Sequence, residues 1–144
     1  MADSAAPEHL VSRLSLPAMA SSVATARLHT RELMERWDLP KLVDDAELVV
    51  SELVTNAIKA ADMISPRARY PELYDRLTVV RLTISRSAGE LRVEVWDPRP
   101  EPPAPCDAGP DAEGGRGLLL VECLSERWGI SHPPGGGKTV WAVF

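Results

Sequence analysis

The chain has 144 residues, of which 44% are hydrophobic, and it carries a formal net charge of −5. This length suits one domain with a single core, and the acidic balance disfavours a surface that binds the nucleic-acid backbone. No run of about 18 apolar residues is present, so the sequence predicts no transmembrane helix. We expect one domain over residues 9–144, after a flexible tail over residues 1–8.

The N-terminal sequence and the cysteines indicate a cellular compartment. The first ten residues, MADSAAPEHL, lack the basic start and the apolar core of a signal peptide. Cys106 and Cys123 lie far apart and outside any metal-ligand spacing. We therefore expect a cytoplasmic protein with reduced thiols, which contacts neither a membrane nor nucleic acid directly.

The first part of the chain predicts a strand and two helices. Residues 9–16 contain Leu10, Val11, Leu14 and Leu16 with polar residues between them and end at Pro17, as in an edge strand. Apolar residues at three- and four-residue spacing predict an amphipathic helix over residues 20–37. Pro40 fits the first turn of a second helix, which we expect to end near Ala61.

The second helix has an unusual polar edge. Its apolar stripe comprises Val49, Val50, Leu53, Ala57 and Ala60. Glu52, Asn56 and Lys59 follow at i, i+4 and i+7, so they share a neighbouring face. A carboxylate, an amide oxygen and an ammonium suit a nucleotide–magnesium site. The alternative is a solvated helix edge.

The remaining chain predicts two hairpins separated by a long loop. Residues 77–85 and 91–96 are rich in β-branched side chains and form an antiparallel pair. The proline-rich segment 98–114 reads as a mobile lid. The elements that follow are a helix from Leu118 to Leu124 and strands at 127–131 and 138–144.

These elements together predict the fold class. We expect an α+β protein, a two-layer sandwich with helices on one face of a mixed, mostly antiparallel sheet. Segment 63–76 is polar and long for a compact domain, so it is either functional or an insertion.

A glycine-rich stretch precedes the helix predicted at Leu118. Backbone amides of Gly115 and Gly117 at a helix start would point at an anion, and Arg116 would add positive charge. A glycine turn that caps the helix explains the same residues.

Two strand residues carry polar groups that suit a nucleobase. Asp97 ends a well-patterned strand, and its carboxylate can accept a hydrogen bond from an amine such as that of adenine. Thr139 is a hydroxyl among bulky neighbours in the last strand. Their simpler interpretations are a turn aspartate and an ordinary strand threonine.

In chain order these features read ELVTNA, VEVWD, GGRGLLLV and GGGKTVWA. Together they resemble the Bergerat-fold ATPases, the superfamily of gyrase, heat-shock chaperone, histidine-kinase and MutL ATP-binding domains. Within it, the chain is most similar to the anti-sigma-factor serine/threonine kinases and their single-domain actinobacterial relatives. The resemblance covers residues 16–144, and four motifs in order are far more specific than one.

The resemblance implies roles for particular residues. It makes Asn56 the magnesium ligand and Glu52 the general base, with Lys59 at the phosphates of ATP. It places Asp97 at the adenine amine and Thr139 at the closure of the adenine pocket. The glycine box at the end of the lid is Gly115, Arg116, Gly117 and Leu118.

The resemblance also implies partners and alternatives. An anti-sigma kinase binds Mg-ATP and switches a sigma factor or an STAS-type anti-anti-sigma protein, often as a homodimer. Arg99 departs from the family pattern, because a glycine usually follows the aspartate at that distance. The alternatives are a nucleotide-gated interaction module with little catalysis and a detached histidine-kinase catalytic domain.

Overall fold

A computed structural model gives the fold and describes residues 9–64, 78–102 and 113–144. A 3-10 turn, Pro40–Leu42, precedes the second helix. The other elements are β1 (His9–Pro17), α1 (Ser21–Arg36), α2 (Val43–Ile64), β2 (Val79–Ser87), β3 (Glu90–Asp97), α3 (Glu113–Leu124), β4 (Arg127–Ser131) and β5 (Lys138–Val143).

The five strands form one sheet in the order β1-β2-β3-β5-β4. All four strand pairings are antiparallel, so the predicted α+β class is confirmed, whereas the mixed character expected of the sheet is not found among these strands. Ala88 and Gly89 join β2 to β3 with φ angles of 52° and 79°. Two successive positive φ angles are typical of the tight hairpin turns whose twist matches that of the flanking strands.

Helix α2 is central to the helical layer. It packs between α1 and α3 and contacts β2 and β3. Its buried residues recur with helical spacing and meet the buried, alternating positions of the two strands. The core residues of α2 include Ala46, Val49, Val50, Leu53, Val54, Ala57 and Ala61, and those of the strands include Val80, Leu82, Ile84, Val93 and Val95. In the described part of the chain, no helix is long and apolar enough to cross a membrane.

The opposite face of the sheet carries arginine–tryptophan stacks. The guanidinium carbon of Arg81 lies 4.6 Å from the centre of the Trp96 ring. That of Arg92 lies 4.5 Å from the centre of the Trp141 ring. These cation–π contacts cover two large apolar side chains on the face opposite the one that α2 packs against.

Several element boundaries differ from those predicted. Helix α2 continues to Ile64, and α3 begins at Glu113, five residues before the predicted start at Leu118. Glycine disfavours helix interiors by about 1 kcal/mol, which is why the pattern favoured a turn there. Packing of α3 against α2 outweighs that preference. Predictions for residues 1–8, 65–77 and 103–112 lie outside the described residues.

A histidine links α1 to the edge strand β1. His29 Nε2 lies 2.8 Å from Ser12 Oγ in a partly buried contact. Burial lowers the pKa of His29 below its ordinary value of 6.5; Glu32 opposes this shift and Arg36 adds to it. The folded state therefore binds the proton of His29 less readily than the unfolded chain does.

This shift makes the stability of the fold depend on pH. The contribution of neutral His29 is complete above the unfolded pKa and is lost as the pH falls below about 6.5. We expect the free energy of unfolding, measured with urea, to fall more steeply between about pH 7.5 and pH 5.5 in the wild type than in His29→Gln. His9→Gln, at an exposed position, is the matched control and should follow the wild type. Parallel decreases in wild type and His29→Gln would contradict the prediction.

Candidate functional site

Helix α2 and the adjoining ends of β3 and β5 enclose a cavity of about 190 Å³. It is lined by Leu53, Asn56, Ala57, Lys59, Ala60, Met63, Val95, Asp97, Arg99, Lys138 and Val140. Three predicted site residues, Asn56, Lys59 and Asp97, thus meet at one place. The volume is below the roughly 300 to 1,000 Å³ of a complete small-molecule pocket, so the cavity suits a single ring system better than a whole nucleotide.

Asn56 offers an unsatisfied amide at this cavity. Its Nδ2 atom is buried and has no hydrogen-bond partner among the described residues. Leaving such a group unpaired costs about 1 to 3 kcal/mol, and buried amides usually bond to protein, water or a ligand. The side chain therefore fits a polar ligand. Its oxygen would be one protein ligand for Mg²⁺, an ion that keeps several waters and commonly binds phosphate.

Lys59 lies on the solvent side of the cavity lining. Lys59 is exposed, one turn beyond Asn56 on α2. Among the described residues, no group of three or more His, Cys, Asp or Glu side chains is placed to hold a metal ion. The residues present fit a metal that is bound together with phosphate groups, with Asn56 as the contributing side chain.

Asp97 and Lys138 form a buried ion pair at the polar end of the cavity. Each side chain is 2% exposed, and Lys138 Nζ lies 3.0 Å from both Asp97 Oδ1 and Asp97 Oδ2. Burial raises the pKa of the Asp97 carboxyl above its ordinary value. The hydrogen bonds from Lys138 and from the Arg99 backbone act in the opposite direction. Antiparallel pairing places the two residues opposite each other on β3 and β5.

The segment that follows β3 is held against its neighbours. Arg99 N–H donates to Asp97 Oδ1 at 2.8 Å, and Arg99 Nη1 donates to Met63 Sδ at 2.9 Å, near the end of α2. His132 Nε2 lies 2.9 Å from the carbonyl oxygen of Pro100. The arginine at the position where the family pattern usually has glycine therefore lines the cavity and is held there by these contacts.

Position 137 requires glycine, because its backbone lies very close to Asp97. Its φ is +75°, and a Cβ at this position would collide with the Asp97 carbonyl oxygen and the Trp96 indole. Only glycine combines that backbone angle with that lack of volume. Our sequence reasoning missed both Gly137 and Lys138, although both stand directly before Thr139 in the motif GGGKTVWA.

The structure does not bring Glu52 or Thr139 into the cavity. Glu52 is half-buried one turn before Asn56 and is absent from the cavity lining. Thr139 pairs with Trp96, whereas Lys138 pairs with Asp97. Because successive strand residues face opposite sides of a sheet, Thr139 lies on the face opposite Asp97. The prediction that Thr139 closes a pocket beside Asp97 is therefore wrong.

The glycine box lies within α3 and not ahead of it. The first three residues of a helix have amides without intrahelical partners, and in α3 these are residues 113–115. The amide of Gly115 thus remains in the anion-binding first turn. Those of Arg116, Gly117 and Leu118 fall in the helical hydrogen-bond pattern, which corrects the predicted arrangement.

Comparison with protein families shows that the family model described as the histidine kinase-like ATPase domain matches residues 16–144. The chain belongs to the histidine kinase-like ATPase domain family. The match includes every cavity-lining residue and confirms the resemblance drawn from the four motifs.

Two individual proteins are similar to parts or all of this chain. The uncharacterized protein SCO4941 of Streptomyces coelicolor is 47% identical over 55 residues, which cover 37% of this chain and 51% of that protein. The crystal structure of the RsbU and RsbW domains of Rv1364c from Mycobacterium tuberculosis superimposes with a TM-score of 0.61 at 18% identity. That superposition covers 93% of this chain and 32% of the Rv1364c chain. At this identity the likeness supports a common fold.

The buried ion pair leads to a stability prediction. Asp97→Asn leaves the Lys138 ammonium buried without its counter-charge, so we expect the free energy of unfolding in urea to fall by about 3 to 5 kcal/mol. Asp97→Asn combined with Lys138→Met removes both charges and should lose less. In the exposed pair between Arg127 and Glu90, Glu90→Gln should cost at most about 1 kcal/mol. Equal stability of the wild type and Asp97→Asn would contradict the buried pair.

Proposed function

We propose that this chain is an ATP-binding regulatory protein of the anti-sigma-factor type, a serine/threonine kinase that acts in the cytoplasm on a protein partner. The observation that carries the proposal is the cavity that joins Asn56, Lys59 and Asp97, with the Asn56 amide buried and unpaired inside it. Family membership over residues 16–144 supports ATP as the ligand.

Each residue then has a physical task. The adenine ring would occupy the cavity, with its amine donating to Asp97. The phosphates would extend past Asn56 and Lys59 toward the first turn of α3, where the amide of Gly115 favours an anion. Mg²⁺ would neutralise the phosphate charge when bound, and Asn56 would be its protein ligand.

The proposed transfer step uses Glu52 as the base. A P–O bond forms to the hydroxyl oxygen of a serine or threonine, the bond to ADP breaks, and the hydroxyl proton passes to the Glu52 carboxylate. Such transfer depends mainly on positioning and charge stabilisation. Glu52 lies one helical turn from Asn56 on a rigid helix, about 6 Å along the axis, which is compatible with a substrate placed outside the cavity mouth.

The proposed partner is a sigma factor or an STAS-type anti-anti-sigma protein, and the protein would act as a homodimer. The fold likeness to the RsbW-containing structure and the motif resemblance support this class. The net charge of −5 disfavours direct contact with nucleic acid.

A second candidate is a nucleotide-gated interaction module with little catalysis. Two observations favour it. Arg99, in place of the usual glycine, lines the cavity and contacts Met63, and Glu52 does not line the cavity. In that case ATP would change the affinity for the partner without turnover. A detached histidine-kinase catalytic domain would instead give acid-labile phosphohistidine on its partner.

Two substitutions on α2 separate binding from transfer. Asn56→Ala should weaken Mg-dependent ATP binding, measured by calorimetry, at least about 10-fold, because it removes the metal ligand. Glu52→Ala should keep ATP binding and lower the transfer of labelled phosphate to an STAS protein by about 100-fold or more. Glu122→Ala, at an exposed position on α3, is the control for the loss of a carboxylate.

The outcomes discriminate among the candidates. Unchanged Mg-dependent binding by Asn56→Ala would remove the nucleotide site as proposed. Binding by the wild type without any transfer, combined with an ATP-dependent change in partner affinity, would favour the interaction module. Transfer that survives in Glu52→Ala would exclude Glu52 as the base, and acid-labile product would indicate histidine phosphorylation.

A further inference from the structure

Lys138 is the buried group to which the proposed site gives no task. The chain has three lysines, and two of them, Lys41 and Lys59, are exposed, whereas Lys138 is 2% exposed. Lysines are almost never fully buried unless they are paired, since removing an ammonium from water costs several kcal/mol. Lys138 is therefore expected to be paired within the protein.

The Lys138 ammonium is held by acceptors within the protein. Nζ donates to Asp97 Oδ1 and to the carbonyl oxygen of Arg99, each at 3.0 Å, and it lies 3.0 Å from Asp97 Oδ2 in the ion pair. An ammonium has three N–H groups and no acceptor. The positive charge of Lys138 is thus directed at the Asp97 carboxylate, although its side chain also lines the cavity.

The carboxylate of Asp97 keeps some acceptor capacity. Among the described residues, Oδ1 accepts from both Lys138 and the Arg99 backbone, whereas Oδ2 has only the ion-pair contact with Lys138 Nζ. A carboxylate has about four lone-pair sites, so unfilled acceptor capacity lies on Oδ2. The Asp97 end of the cavity therefore presents an acceptor to a ligand.

We infer that Lys138 is a positioning residue that fixes the Asp97 carboxylate with its remaining acceptor directed at the cavity, so that the site selects a ring with an exocyclic amine over one without it. The inference rests on the proposed nucleotide-binding function. It adds that the choice between rings depends on how Lys138 holds Asp97. Selection here depends on a lysine that does not itself contact the ring.

Without the Lys138 ammonium, we expect the site to lose its preference for a ring with an amine. Without Lys138, the carboxylate keeps only the Arg99 N–H in a buried site, and a buried carboxyl in that situation takes up a proton or turns toward water. Either change removes the directed acceptor. Contacts of the ring faces and of the phosphates do not depend on it, so binding of an amine-free ring should persist.

The test compares two diphosphates by calorimetry: ADP, and purine riboside diphosphate, which carries hydrogen in place of the amine. In the wild type we expect ADP to bind about 10-fold more tightly or better, as for one buried hydrogen bond to a charged group. In Lys138→Met the two affinities should agree within about twofold, through loss of ADP affinity alone. Lys41→Met, the same change at an exposed lysine, should keep the wild-type ratio.

The outcomes separate the positioning role of Lys138, the selection of the amine and the binding of nucleotide. A folded Lys138→Met that keeps the wild-type ratio would overturn the positioning role, since a lysine with only a structural role lowers stability without altering the ratio. Equal binding of both diphosphates by the wild type would overturn amine selection and leave nucleotide binding intact. Binding of neither would overturn the proposed function and this inference with it.

A second measurement applies to the wild type, in case Lys138→Met does not fold. The ammonium groups of ¹⁵N-labelled protein are observed by NMR, and the Lys138 signal is assigned by elimination with Lys41→Arg and Lys59→Arg. ADP should shift that signal more than purine riboside diphosphate does, because only the amine bonds to the carboxylate that holds Nζ. Equal shifts would overturn the inference.

Discussion

The packing of α2 against β2 and β3 is the contact on which the rest of the molecule depends. The buried stripe of this helix forms the largest part of the core and sets the rotation of the helix about its axis. That rotation places Asn56 at the border between core and cavity, opposite the end of β3 that carries Asp97. The site therefore needs no separate scaffold, because the hydrophobic contact that stabilises the domain also sets the distance between its polar walls.

The polar end of the cavity is held together by buried charges, whereas the core is held together by apolar contacts. A buried ion pair seldom adds stability over a hydrophobic pair of the same volume. The Asp97–Lys138 pair lies beside Arg99 and Gly137. We therefore interpret it as serving the proposed site and not as a source of stability for the core. The glycine at 137 and the backbone oxygen of residue 99 show how closely the chain is fitted around these two charges.

Much of the fold and part of the site could be predicted from the sequence. Helical spacing in α2 and alternation in β2 and β3 are local signals, and they led to correct elements and to Asn56 and Asp97 at one site. The facing of Thr139 and the partner of Asp97 depend on the register between β3 and β5, which joins residues 41 positions apart. Alternation within β5 alone does not give that register, because apolar residues occupy both faces of the strand. The early start of α3 was missed because tertiary packing overrides the low helix propensity of glycine.

The arginine–tryptophan stacks on the outer face of the sheet have a consequence for behaviour in solution. Sheets with a bare apolar face tend to adhere to one another. Here Arg81 and Arg92 lie over the indole rings of Trp96 and Trp141, so a second sheet would have to displace charged guanidinium groups. The molecule thus keeps two tryptophans at its surface without making that surface adhesive, and the unlayered side of the domain is protected from stacking into aggregates.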